Sequence, residues 1–291
     1  MPPARAMKCR FSPTGQQRME VIMPFVDQDV AAQLEGVWTL ELVNYAETLK
    51  RLDLRPSATT EPIGDGVCVY TSPDLPVNRA AGMGLHSPVT TGQMQEIERF
   101  FADREMPAQF DLCPLADPSL LELTTERGYH VVRFLDVLCM DLPSQDSLPA
   151  VPFGVEIRTI AAEETEIWAR AVASGFAATD GLDESDTNVV LARAAAHSPG
   201  VVCYLATVGG QPAGGGAMIL HDHLAALFSS STRLPFRGRG IQNGLVAMRL
   251  KAAASAGCTT ASVLATPGSI SHRNLERAGF RVAYTRPTLQ K

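Results

Sequence analysis

Pro235-Phe236-Arg237-Gly238-Arg239-Gly240-Ile241-Gln242 separates a strand-like run, Leu224 to Ser231, from an alanine-rich stretch with helical character that runs from about Gln242 to Ala256. Two glycines between two arginines, at the entrance to a helix, suit an anion. The first N–H groups of a helix have no intrahelical acceptor, and the helix dipole adds positive potential there. Glycine lets the backbone turn sharply and approach a phosphate with no Cβ in the way. On the motif alone, an exposed basic turn with a capping glycine stays open as the alternative.

Outward from this loop, punctuation and periodicity predict an ordered series of elements. Upstream lie a strand (Gly154 to Ile160), a helix (Glu163 to Ser174), an acidic loop (Thr179 to Ser185) and a second helix (Asp186 to Ala196). Three short apolar runs then follow, Val201 to Val208, Ala213 to Leu220 and Leu224 to Ser231, separated by turn residues as in an antiparallel meander. Downstream, Gly257 stops the helix from the C′ position, and Ala261 to Ala265, Ser271 to Arg277 and Phe280 to Thr285 read as strand, helix and strand. Gly214-Gly215-Gly216 marks a bulge or a close backbone approach.

This order, with the Arg237–Gln242 loop and the ending Glu276-Arg277-Ala278-Gly279-Phe280, resembles the GNAT (Gcn5-related N-acetyltransferase) superfamily over roughly residues 153 to 286. The resemblance implies a mixed α/β fold, a largely antiparallel sheet flanked by helices that splays between its fourth and fifth strands. It implies acetyl-CoA as cosubstrate, with Arg237, Gly238, Arg239, Gly240, Ile241 and Gln242 at the pyrophosphate and Ser230, Ser231 and Thr232 along the pantetheine. Two departures stand out. The family loop usually ends in Gly or Ala where this chain has Gln242, whose amide either adds a donor or narrows the groove. Counting back from Gly279 puts Gly268 and Leu275 where many members carry Asn and the Tyr that acts as general acid. Tyr284 and Ser229, with Ser231, are the substitutes considered, each having a structural role as its alternative. A thiol of pKa ~8.5 leaves readily without an acid, whereas an alkylamine of pKa ~10.4 must lose a proton before it attacks.

The first half repeats the pattern. Aligning Gly128-Tyr129 with Gly279-Phe280, an offset of 151 residues, sets Phe110 to Cys113 on Ala261 to Leu264 and the helix from Met94 on the helix that follows Asn243. A strand from Val77 to Leu85, a helix from Met94 to Ala102, a strand from Gln109 to Cys113, a helix from Ser119 to Glu126 and a strand from Tyr129 to Leu142 are expected. The same offset puts His86-Ser87-Pro88-Val89 against Arg237-Gly238-Arg239-Gly240, so the first copy lacks the glycine loop. The division expected is a degenerate GNAT-like domain over 1–142, a proline-bearing linker over 143–152 and an acetyltransferase domain over 153–291.

Composition narrows the partners. A net charge of −6 argues against nonspecific nucleic-acid or anionic-membrane binding and says nothing against a cationic substrate; the resemblance implies a small-molecule or peptide amine as acceptor. No apolar run is long enough to span a bilayer and no signal-peptide pattern opens the chain, so a cytoplasmic location is expected. Six cysteines without paired spacing read as buried apolar residues, and His221-Asp222-His223 as a turn, so no metal is expected. The acidic residues Asp180, Asp183, Glu184 and Asp186 either attract the amine or form a solvated loop. Two functions compete: transfer of acetyl to a primary amine, and non-catalytic acyl-CoA binding or regulation.

Overall fold

The computed structural model describes residues 26–142 and 151–291. Most of the linker and Cys9 lie outside them. Among the described residues all strands join one 11-stranded sheet, in the order β1-β2-β3-β4-β11-β5-β10-β9-β8-β7-β6.

Among the described residues the first half begins with α1 (Gln28–Arg51), a 24-residue helix that the sequence reading did not assign. Asp27 caps it by accepting the Val30 N–H, and Ala31, Leu34, Trp38, Leu42, Tyr45 and Leu49 form its buried stripe. Two strands also not assigned, β1 (Thr59–Ile63) and β2 (Gly66–Tyr70), make a hairpin. β3 (Arg79–Ala81) is far shorter than Val77 to Leu85, because Gly82 and Gly84 take positive φ (74° and 73°) and end the strand. Then come α2 (Thr91–Ala102), β4 (Gln109–Asp111), α3 (Pro118–Glu126) and β5 (His130–Asp141).

The second half runs β6 (Val155–Thr159), α4 (Thr165–Ala177), α5 (Thr187–His197), β7 (Val201–Val208), β8 (Gln211–His221), β9 (Leu224–Thr232), α6 (Ile241–Ser255), β10 (Thr260–Ala265), α7 (Ile270–Arg277) and β11 (Arg281–Gln290). This is the order read from the sequence. The 151-residue offset carries Gln109 to Thr260 and His130 to Arg281, the first residues of β4 and β10 and of β5 and β11. β11 runs past the expected end at Thr285. Pro287 is tolerated because the group it contributes is its carbonyl, which accepts the Leu112 N–H at 3.0 Å.

The halves exchange their last strands. β5 lies between β10 and β11, and β11 lies between β5 and β4. A buried polar network locks the exchange. Arg286 on β11 reaches Glu35 of α1 at 2.8 Å and Asp111 of β4 at 3.3 Å. Arg79 and Thr288 also bond Asp111, at 2.5 and 2.7 Å. Neighbouring strand residues alternate between two cores. Leu205 and Ala217 pack with Leu42, Trp168 and Val190 of α1, α4 and α5, whereas Tyr204 and Met218 pack with Leu245, Leu250 and Leu275 of α6 and α7. The sheet therefore has α1, α4 and α5 on one face and α6 and α7 on the other. Among the described residues no helix is long and apolar enough to cross a membrane.

Candidate functional site

β9 and β10 are parallel neighbours only from Leu224/Thr260 to Leu227/Val263, although β9 continues to Thr232. Beyond Leu227 the strands part. The crevice so formed, of about 200 Å³, passes through the sheet: Gln242, Val246 and Arg249 of α6 with Ser271 and Leu275 of α7 line one side, and Trp38 and Glu41 of α1 line the other.

A bulge bends β9 at this point. Phe228 faces Ala217 of β8 and Ser231 faces Gly215, so Ser229 and Ser230 stand opposite the single residue Gly216. Ser229 takes φ 49°, rare for a residue with a side chain. The glycine run of β8 makes room, as its sequence suggested. A Cβ on Gly214 would meet Ser231 O at 2.3 Å, and one on Gly216 would meet the Arg249 guanidinium at 2.9 Å. That guanidinium, fully buried, donates to Ala217 O (2.9 Å), Phe228 O (3.2 Å) and Ser230 Oγ (2.5 Å), clamping the bulge. Burial lowers its pKa to about 10, which still leaves it charged at neutral pH.

The glycine loop leads into α6 beside the crevice. Gly238 and Gly240 take φ 78° and 75°, and Gly240 is the N-cap residue, with no side chain satisfying the first N–H groups. α1, α2, α3, α5 and α7 each begin under a capping side chain: Asp27, Thr90, Asp117, Asp186 and Ser269. α4 also lacks a capping side chain, but α6 alone of the two begins in a glycine loop beside the crevice, an arrangement with the donors a pyrophosphate needs. Arg239 is exposed, whereas Arg237 is committed to the protein, donating to Gly175 O at 2.9 Å and Thr232 O at 3.2 Å. Gln242 bonds Ser271 and Asn274, tying α6 to α7 across the groove. One of its two amide N–H groups is used in this way, and the side chain lines the crevice.

Of the catalytic candidates, Ser229 lines the crevice and Tyr284 does not. The Tyr284 hydroxyl donates to Glu35 at 2.9 Å inside the polar network, and burial raises its pKa, so it is held as a structural donor. Ser230 lines the crevice, but the Ser231 hydroxyl donates away from it, to Val172 O at 2.7 Å. Leu275 occupies the crevice where the family acid was counted. The acidic loop is engaged within the protein: Asp180 holds Arg233 at 2.8 Å, Glu184 pairs with Arg170 and Arg193, Asp183 accepts from Ser185, and Asp186 caps α5. Among the described residues no cluster suits a metal, and the five described cysteines are buried and free.

Glu41 was missed. It lines the crevice from α1, and its pKa is raised to about 7, chiefly by burial, with Arg79 and Arg286 opposing and Asp111 adding to the rise. A larger hollow of about 450 Å³, lined by residues of both halves, among them Asn78, Gln109, Arg133 and Thr288, borders none of the residues singled out from the sequence.

No family model matches this chain, and no curated protein matches it. Solved structures do. A GCN5-related N-acetyltransferase from Kribbella flavida superposes with a TM-score of 0.63 at 21% identity, over 90% of this chain and 95% of that one. A tandem GNAT protein from the clavulanic acid biosynthesis pathway gives 0.59 at 13% identity, over 91% and 96%. A GCN5-related N-acetyltransferase from Sphaerobacter thermophilus gives 0.55 at 22% identity, over 77% and 71%. The split between β9 and β10, the bulge beside it and these superpositions agree: the chain has the GNAT fold, in a tandem arrangement.

Proposed function

We propose that this protein transfers an acyl group, acetyl in the first instance, from acyl-CoA to a primary amine, and that the crevice of the second half is its one acyl-CoA site. The observation that carries this is the placement of the uncapped N-terminus of α6 and the β9 bulge along one crevice. The backbone N–H groups from Gly238 to Gln242 hold the pyrophosphate, and exposed Arg239 adds charge. The thioester reaches the bulge, where a backbone N–H of the displaced residues stabilises the oxyanion that forms on attack. Arg249 keeps that segment in place from behind. With Leu275 in the acid's position, the thiolate departs without a dedicated donor, as its low pKa allows.

The test is thiol release by the intact protein with acetyl-CoA and a panel of primary amines, alongside calorimetry with coenzyme A. Amine-dependent release is expected. Saturable coenzyme A binding with no release for any amine would favour a non-catalytic acyl-CoA-binding role, and absence of binding would remove the reading altogether.

A further inference from the structure

α1 lies across the split between β9 and β10, on the face opposite α6. Trp38, Glu41 and Tyr45 are three and four residues apart and share one side of the helix. The Trp38 indole N–H donates to Ser262 Oγ on β10 at 3.1 Å. The Tyr45 hydroxyl lies 3.4 Å from Ser229 Oγ at the β9 bulge. These contacts pin the helix to both lips of the opening and leave Glu41 between them, lining the crevice.

Other acidic groups nearby are paired, Glu35 with Tyr284 and Arg286, and Asp111 with Arg79, Arg286 and Thr288. Among the described residues the Glu41 carboxylate makes no hydrogen bond or ion pair. A half-buried carboxylate without a protein partner, lining a small cavity, leaves its oxygens open to a cation that enters the crevice. Serine hydroxyls and the phenylalanines Phe176 and Phe228 surround it, a setting suited to a primary ammonium on a short apolar stem.

We propose that Glu41 binds the acceptor's ammonium group and takes its proton, so that the first half of the chain supplies the base for a reaction carried by the second. This rests on the acyl-CoA reading above. Acyl-CoA would enter along α6 and the amine from the α1 face, which brings the nitrogen to the thioester from the side opposite the cofactor loop. The ammonium gives one proton to Glu41, and the neutral nitrogen bonds to the carbonyl carbon. The C–S bond then breaks with its electron pair on sulfur. The nitrogen's second proton passes to the thiolate and the proton on Glu41 to water, leaving amide, thiol and one released proton.

The groups facing Glu41 support the role. Arg79 on β3 and Arg286 on β11 favour its ionised form, Asp111 on β4 disfavours it, Tyr45 lies one turn along α1, and Arg249 borders the same cavity from α6. Burial outweighs the arginines and leaves the carboxyl titrating at about 7, near the working pH expected of a base.

Glu41→Gln in the intact protein separates this role from a structural one. The measurement is kcat/KM from pH 6 to 9.5 with the best alkylamine of the panel and with the corresponding alkoxyamine, whose nitrogen is already neutral at pH 7. For the alkylamine at pH 7.5, a loss of at least about a hundredfold is expected, within the range of general-base catalysis. The alkoxyamine should lose less than about tenfold, and the Kd for coenzyme A should not change. Glu41→Asp should keep the acidic limb of the wild-type profile. Equal losses with both acceptors, or none with the alkylamine, would overturn the assignment while leaving acyl transfer standing. A wild-type protein that releases no thiol with any acceptor would overturn both.

Discussion

One carboxylate oxygen of Asp65 accepts the backbone N–H of His86 at 2.8 Å, in the loop that occupies in the first half the place of Arg237–Gly240 in the second. The same oxygen takes the Ser87 N–H at 3.2 Å, and the other takes Gly84 N–H at 2.9 Å. α2 then begins under a capping box made by Thr90 and Gln93. An internal carboxylate and a capped helix thus use the donors that the second half leaves open. The intact chain is therefore expected to bind one coenzyme A, read as the stoichiometry in calorimetry. Two equivalent sites would refute it. Separated halves cannot serve here, since cutting the chain would strip β5 from between β10 and β11.

Gly238→Asp should weaken coenzyme A binding at least about a hundredfold, by placing a negative charge among the loop donors and costing two charge-assisted hydrogen bonds of ~1.5–3 kcal/mol each. The fold should survive, because a Cβ at Gly238 meets nothing within 4 Å and aspartate tolerates positive φ better than most residues. Gly240 is a poorer choice, since its Cβ would meet Pro152 Cγ at 2.9 Å. Calorimetry with a thermal melt decides. An unchanged Kd in a folded Gly238→Asp protein would make the loop only a turn.

Asp111 sets an acid limit on stability. Burial pushes its carboxyl up, but Arg286, Arg79 and the Thr288 hydroxyl prevail and hold it at about 2. A carboxylate lowered on folding stabilises the native state above its unfolded pKa of ~3.9, and the contribution, about 2 kcal/mol, disappears as pH falls towards 2. Asp111→Asn, which leaves Arg286 and Arg79 short of a counter-charge, should cost ~3–5 kcal/mol at pH 6. The gap between the urea midpoints of the two proteins should narrow as pH falls from 4 to 2.5, without closing. A constant difference across that range would mean that the charge on Asp111 contributes little.

Much of the site was legible because its signals are local. Gly238 and Gly240 announced positive φ, Gly214 to Gly216 announced the close approach at the bulge, and the count from Gly279 landed Leu275 in the crevice. α1 was legible as well. Ala31, Leu34, Trp38, Leu42, Tyr45 and Leu49 repeat at helical spacing behind the cap Asp27, and the stretch before Val77 went unassigned despite that signal. Glu41 itself was not legible. A glutamate among apolar helix positions reads as the edge of a solvated face, and only the packing of α1 over the split puts it in a cavity.

The sequence by itself determined the succession of helices and strands, the 151-residue repeat and the survival of the glycine loop in the second copy alone, since each depends on backbone preferences and periodicity within short windows. Only the tertiary structure decided which edges pair. His130 to Asp141 and Arg281 to Gln290 are both strands that close a half, and nothing in either window says whose sheet it will enter. Reciprocal exchange follows from long-range fit: β10 pairs with β5 rather than β11, and Arg286 finds Glu35 and Asp111 only in that arrangement. The same packing lays α1 over the opening between Ser262 and Ser229, and so brings a carboxylate of the first half to the reacting end of the second.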